Sequence, residues 1–440
     1  MTDKDLTRRV YGYLAEDEDA RVCKDIPESA CNHQPRSFVF MLLSLTLTKL
    51  GDTLVSARLV LPWMLSALGA PAIFISALVP LRESLALLPQ LFVAQKLRQQ
   101  PVRKWFWVAG SVGQALALAL MIVAVATLNN SALGWAIVVL LAIFSLSRGV
   151  CSVANKDVTG KTVSKTRRGR LSGVAASAAG LLTLGTALVI MFAPDVSGDR
   201  WLFLGLLGTG VVLWTAAALL YAAIPEVAGA TEGGGNAITE ALRSLTLLWR
   251  NGQFGHFVLT RALLVSAAFA IPYIVVLIQR QGDAELTSLG SLLLASGLAG
   301  LLAGRVWGRW SDAASHRVMA AASVMSTLVM VLALMIYYWA PDALAVGWVA
   351  GLLLFLSAVA HHGARVGRKT YLVDMATQDN RAQLTAVSNT VMGIILLAGI
   401  LLGWLDAAYG VAAVLWFLVG VGVLAFCSSL LLPNVSGDNQ

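Results

Sequence analysis

The chain has 440 residues, of which 58% are hydrophobic and only 13% charged, and its formal net charge is +8. A soluble protein carries roughly 25% charged residues, so the composition excludes water-soluble domains and indicates a polytopic membrane protein. The basic surplus lies mainly in connections between apolar runs, where it reports topology, and it is not read as nucleic-acid binding.

Residues 1–37 are a polar segment. Cys23 and Cys31 flank "KDIPESA", with His33 just beyond. Cys-x7-Cys-x-His departs from the usual zinc spacings, so two reduced thiols are expected. The first apolar run begins near Ser37, after charges of both signs and without a small-residue cleavage site, and is expected to stay in the membrane.

About 20 apolar helical residues cross the hydrocarbon. Twelve runs qualify: 38–66, 71–96, 105–128, 132–155, 171–193, 201–224, 256–280, 287–309, 318–340, 343–366, 384–404 and 410–432. They imply a six-helix bundle at 38–224, a linker at 225–255, a second bundle at 256–432 and a tail at 433–440. In the linker, "EVAGATEGGG" reads as flexible. The spacing of Ile238, Leu242, Leu245 and Trp249 predicts an amphipathic surface helix.

Twenty-five of the 32 Lys and Arg residues fall in the N-terminus and the regions 96–104, 156–170, 225–255, 305–317 and 365–381, against Arg200 and Arg280 on the other side. Both termini are therefore expected in the cytoplasm, with the bacterial inner membrane as the expected location. Trp63, Trp105, Trp107, Trp135, Trp201 and Trp348 lie near run ends, where an interfacial belt is expected.

Five basic residues remain inside the runs: Lys49, Arg58, Arg82, Arg148 and Arg261. Intramembrane charges need a partner or a wet cavity. Lys49 and Asp52, three apart, share a helix face. Arg58 lies about 120° round from Asp52. Arg82 and Glu83, adjacent in the second run, face different partners, one of them across on the first run. Asp52 and Glu83 are candidates either for locking helices together or for proton exchange. A carboxylate holds its proton more tightly when buried and less tightly beside a cation, so moving the cation loads or releases the proton. His361 and His362, expected in the cytoplasmic third of the tenth run, are candidates for the same relay or for helix packing. Five basic groups against two carboxylates favour an anionic or zwitterionic solute, with Lys49, Arg58, Arg82 and Arg148 as candidate contacts. Arg261 is expected to snorkel or to gate.

"NKDVTGKT" at 155–162 ends like a phosphate-binding loop but has Asn155 in place of the first glycine and no preceding strand, which excludes a nucleotide site and a primary pump. Gly300, Gly304 and Gly308 repeat every four residues and predict close helix packing.

An offset of 213 residues aligns the halves: Lys156 with Lys369, Arg168 with Arg381, Leu171 with Leu384, Gly180 with Gly393. Two halves related about the membrane normal form a transporter plan with a central site. Here the chain resembles the major facilitator superfamily. "GRVWGRWSDAASHR" at 304–317 is similar to its loop signature, with Gly304, Gly308, Asp312 and Arg317 in the matching places. "RRGRLSG" at 167–173 resembles its basic turn, and Arg148–Gly149 loosely resembles its intramembrane arginine motif. The equivalent loop after the second run, "QKLRQQPVRK", has no Gly or Asp. The fifth run lacks the glycine-proline pattern of the drug/proton antiporters.

The resemblance implies an all-α protein of twelve transmembrane helices in two pseudo-symmetric bundles. Alternating access is expected; the intramembrane carboxylates and the lack of a nucleotide site point to protons as its driving force, and no cofactor, metal or enzymatic activity is expected. The expected partners are a small solute, protons and lipid, for a monomer. A multidrug efflux antiporter for cationic or lipophilic compounds, and a transporter-like receptor without turnover, are the alternatives.

Overall fold

The computed structural model describes residues 7, 9–12, 28–88, 90–192, 200–229, 231, 245–281, 286–376 and 381–435. Within these the regular structure is entirely helical, as the apolar runs require: in lipid, every backbone polar group must be satisfied internally. In chain order the passes are α1 (Gln34–Leu54) continued by α2 (Val60–Ala67), α3 (Ala72–Leu87) continued by α4 (Gln90–Arg98), α5 (Lys104–Thr127), α6 (Asn130–Thr162), α7 (Lys165–Phe192) and α8 (Arg200–Ala222). The second half follows with α9 (Gly252–Leu263) continued by α10 (Ser266–Gln281), α11 (Leu286–Trp339), α12 (Gly347–Met375), α13 (Arg381–Ala398) continued by α14 (Leu401–Tyr409), and α15 (Val411–Leu430). α11 is two passes joined across a kink at Ala314. Among the described residues ten helices are long and apolar enough to cross a membrane, and Leu289–Ala303 is a shorter apolar one. The twelve runs of the sequence map onto these passes in order.

Helices α6 and α12 run past the expected ends of their spans at 155 and 366, to Thr162 and Met375. Lys156, Arg365, Arg368 and Lys369 are therefore helical side chains, not loop charges. His361, fifteenth of the 29 residues of α12, lies midway along it and not in an end third.

The halves meet along three seams. In the first, α7 packs on α11: a side chain on Gly180 would strike Leu301, and one on Gly297 would strike Leu184. Gly300 and Gly308 have open space there, so the packing attributed to the 300–304–308 stripe falls instead on Gly297, the face of α11 that points at α7. In the second, α3 packs on α13 and α14: Ser84 donates to the Gly393 carbonyl at 2.6 Å, and Gly393 itself meets Leu88. Gly180 and Gly393, equivalent by the repeat, each lie against the opposite half. In the third, α10 packs on α2 and α3 at the end away from the chain termini. Gln279 donates to the Trp63 carbonyl at 3.0 Å and Tyr273 to Ser76 at 2.8 Å.

Two of the tryptophans expected at the lipid interface are internal. Trp63 is buried at this third seam, and Trp107 is buried in a 3.9 Å stack on Tyr221, whereas Trp105, Trp135, Trp201 and Trp348 face outward. The start of the linker is also structural: Glu226, its side chain fully buried, accepts the backbone N–H groups of Arg103 and Lys104 at the α5 N-terminus and an ion pair from Lys161 at 2.8 Å. A carboxylate there complements the helix dipole. Ile238 and Leu242 lie outside the described residues. Leu245 packs on the second half's core and Trp249 is exposed. Cys31 is disulfide-bonded, which corrects the reduced state expected for it; Cys23 lies outside the described residues.

Candidate functional site

The charges of the first half converge because helix α1 stops. It ends at Leu54 and resumes at Val60, with Arg58 in the interruption. Irregular backbone inside a membrane is tolerated where it lines a cavity, and Ser56, Arg58 and Leu59 do line one. The 120° offset of Arg58 from Asp52 supposes a continuous helix and does not apply. Arg58 turns instead to α3 and donates to Glu83 at 2.6 Å.

Asp52 sits at the last turn of α1. It accepts from Arg82 of α3 at 2.8 Å through one oxygen and pairs with Arg148 of α6 at 2.6 Å through the other. One carboxylate thus ties three passes together. Both Arg82 and Glu83 reach across to the first pass, each to a different partner, where the sequence reading foresaw one. Arg82 also lies 5.0 Å over the Phe144 ring, a cation–π contact. Phe144 abuts Trp214, and the Trp214 ring occupies the space beside Gly51, where a Cβ would come within 2.4 Å of it. The glycine preceding Asp52 lets α8 buttress the charged turn.

Two cavities flank this network. One, of about 90 Å3, lies between the halves. Ser56, Arg58 and Leu59 line it from the first half, and Ile271, Ser296, His361 and His362 are among its walls from the second. His361 is buried, and neither ring nitrogen has a hydrogen-bond partner. The other, of about 220 Å3, is nearer the termini and is lined by Lys49, Arg148 and Lys156 with Ser152, Asn155 and Ser172. The expected sharing of a face by Lys49 and Asp52 fits this arrangement: Lys49 shares the cavity wall with the Arg148 that Asp52 holds.

The sequence reading missed the contribution of the tenth pass. Arg365 and Arg368 stand within electrostatic reach of Glu83, and Lys369 within reach of Lys49 and Lys156. The signal is present as basic residues at i, i+3 and i+4, which share one helix face, although by composition they resemble a loop. Asp406 was also missed. It is buried on α14 and takes a two-pronged ion pair from Arg280 at 3.1 and 3.3 Å. Arg261 does not snorkel: it is buried and donates to Ser388 at 2.6 Å and Asn389 at 2.9 Å. Its two terminal nitrogens bond neutral groups of α13, and its Nε has no hydrogen-bond partner.

Of the loop-signature residues, Gly308 has no neighbour that a side chain would meet, and Arg317 is exposed. The surroundings of Gly304 and of the Asp312 side chain lie outside what is described. Beside them Trp307 donates to the Val359 carbonyl at 2.9 Å and fills the space next to Gly363, fixing the kinked α11 to α12. Among the described residues no group of three His, Cys, Asp or Glu side chains is arranged to hold a metal.

The family model described as Major Facilitator Superfamily matches residues 41–394. No curated protein matches the sequence. Among solved structures, a variant of the nucleoside transporter NupG is similar, with a TM-score of 0.69 at 13% identity over 91% of this chain and 100% of that one. A POT family transporter in complex with a thioalcohol-conjugated peptide gives a TM-score of 0.71 at 11% identity, covering 93% and 98%. A D-xylose–proton symporter gives 0.65 at 13% identity, covering 92% and 99%. At such identities the likeness establishes the fold alone.

Proposed function

The chain belongs to the Major Facilitator Superfamily, and from that premise we propose that this integral membrane transporter couples protons to the movement of a small anionic or zwitterionic organic solute. The two halves rock about the cavities between them, with both termini in the cytoplasm of a bacterium. The bundles at 38–224 and 256–432 are the moving units, and the chain acts as a monomer.

The observation that carries the reading is Asp52, held between Arg82 and the Arg148 that lines a basic cavity. Protonating Asp52 releases two guanidinium groups, whose planar forks suit a carboxylate or phosphate. A solute that engages Arg148 competes for the same group and favours uptake of the proton by Asp52. Arg58 and Glu83 repeat the logic one turn away, next to His361 and His362. Alternating access then moves solute and proton together, since the carboxylate is reset only when the arginines return. The surplus of cations disfavours a cationic drug. The nucleoside, peptide and sugar–proton transporters among the structural neighbours support a solute carrier without choosing the solute.

The test is proton flux in proteoliposomes loaded with a pH-sensitive dye. Small organic anions, zwitterions and cationic drugs are added in turn, to the wild type and to Asp52→Asn and Glu83→Gln. Solute-dependent proton movement that Asp52→Asn abolishes is expected. Solute flux with no proton movement, or currents evoked by cationic drugs alone, would count against the reading.

A further inference from the structure

The ion pairs of the first half neutralise only part of the positive charge that faces the gap. Lys49 on α1, Lys156 on α6, and Arg365, Arg368 and Lys369 on α12 make no ion pair and no side-chain hydrogen bond among the described residues. They are nevertheless close together. Lys369 stands within electrostatic reach of Arg365, Arg368, Lys156 and Lys49, and Lys49 within reach of Arg365 and Arg148. Lys156 and Lys369 are the repeat-equivalent pair, one from each half. The two nearby carboxylates are already engaged: Asp52 by Arg82 and Arg148, Glu83 by Arg58.

Like charges gathered between low-dielectric helices repel strongly unless an anion lies among them. The cavity beside Lys49 and Lys156 has room for one, and Ser152, Asn155 and Ser172 add neutral hydrogen-bonding groups to its wall. A monoanion would neutralise one of five cations. The ammonium of a zwitterion would meet the remaining field with the wrong sign.

We infer that Lys49, Lys156, Arg365, Arg368 and Lys369 bind a solute carrying two or more negative charges, a phosphate monoester or a dicarboxylate, bridged between Lys156 of one half and Lys369 of the other. This rests on the transporter reading above and narrows its substrate class. The arginines supply bidentate grips on such a group, and the paired lysines join the halves through it.

The experiment is calorimetric titration of the purified full chain with inorganic phosphate, glycerol phosphate, succinate, betaine and acetate. Phosphate-bearing probes or succinate should bind at least tenfold more tightly than acetate or betaine, and which of the two wins separates a phosphate from a dicarboxylate site. Lys156→Gln and Lys369→Gln should each weaken that binding by about tenfold, and Lys156→Arg and Lys369→Arg should retain it. Arg200→Gln, at the opposite end, should leave it unchanged. All variants are checked for monodispersity, and the arginine pair serves if a glutamine variant aggregates. Equal binding of acetate or betaine, no binding of any probe, or wild-type affinity in both glutamine variants overturns the inference. Divalent binding without flux in proteoliposomes would sink the transporter reading and leave this one standing; flux of betaine without divalent binding would do the reverse.

Discussion

The two halves treat their deep arginines differently. In the first, every deep arginine has a carboxylate: Arg82 and Arg148 share Asp52, and Arg58 holds Glu83. In the second, Arg280 pairs with Asp406, but Arg261 donates only to the neutral Ser388 and Asn389, and Arg365, Arg368 and Lys369 have no ion-pair partner among the described residues. Paired charge can be switched by a proton, because protonating the carboxylate changes what the arginine needs. Unpaired charge cannot be switched that way; it sets a standing field that selects what enters. On the function proposed above, the paired arginines of the first half carry the coupling, and the unpaired cations, Lys49 and Lys156 of the first half with Arg365, Arg368 and Lys369 of the second, carry the attraction.

The sharpest way to break this contrast is at Asp52. Asp52→Asn leaves Arg82 and Arg148 without an anion, and the loss of one partner of a buried pair costs about 3 kcal/mol or more. We expect abolished proton flux and a clear fall in thermal stability, read by thermal unfolding in detergent. Adding Arg82→Gln to Asp52→Asn should recover part of that stability without recovering flux. Gly51→Ala comes next. The new methyl meets the Trp214 ring, and overpacking of this kind costs about 1–3 kcal/mol; Trp214→Phe in the same chain should relieve it.

A smaller effect is expected from the Arg58–Glu83 pair, whose members are half-buried. A double-mutant cycle of Arg58→Gln and Glu83→Gln should give a coupling of about 1 kcal/mol in stability, with flux lost in either single variant. His361→Gln should change stability least among the buried groups, since neither ring nitrogen has a partner to lose. It should still raise the KM for transport, because the ring lines the cavity. At the bottom of the scale, Gly308→Ala should leave the thermal midpoint unchanged, whereas Gly363→Ala, which would strike Trp307, should lower it. Equal effects at the two glycines would refute the packing described for α11 and α12.

The passes were legible because they depend on hydrophobicity alone, and a charge inside an apolar run is conspicuous whatever its partner. Two of the four residue pairs at an offset of 213 have structural counterparts: Leu171 and Leu384 are both buried, and Gly180 and Gly393 both face the other half. What escaped was geometry that periodicity does not encode. The interruption after Leu54 has no proline or glycine within 55–59 to announce it, so the direction of Arg58 was misjudged. Arg365, Arg368 and Lys369 look like a loop by composition, because a helix that outruns its apolar stretch resembles a connection until its last turns are seen. Glu226 belongs to a stretch of small and polar residues, and only the α5 N-terminus beside it explains its burial.

The seam between α10 and the first half bears on the timing of the cycle. Two hydrogen bonds close that end, Gln279 to Trp63 and Tyr273 to Ser76, with Ser84 to Gly393 in the seam beside them. Each such bond contributes a net of about 1 kcal/mol, so the polar part of the latch holds by roughly 3 kcal/mol. A population shift from 1:99 to 99:1 takes about 5.5 kcal/mol of differential affinity. A latch of this strength is weak enough for one bound solute to tip the conformational balance and strong enough to keep the unloaded carrier mostly on one side. On the transport cycle proposed above, those hydrogen bonds are expected to govern leakage per turnover more than affinity.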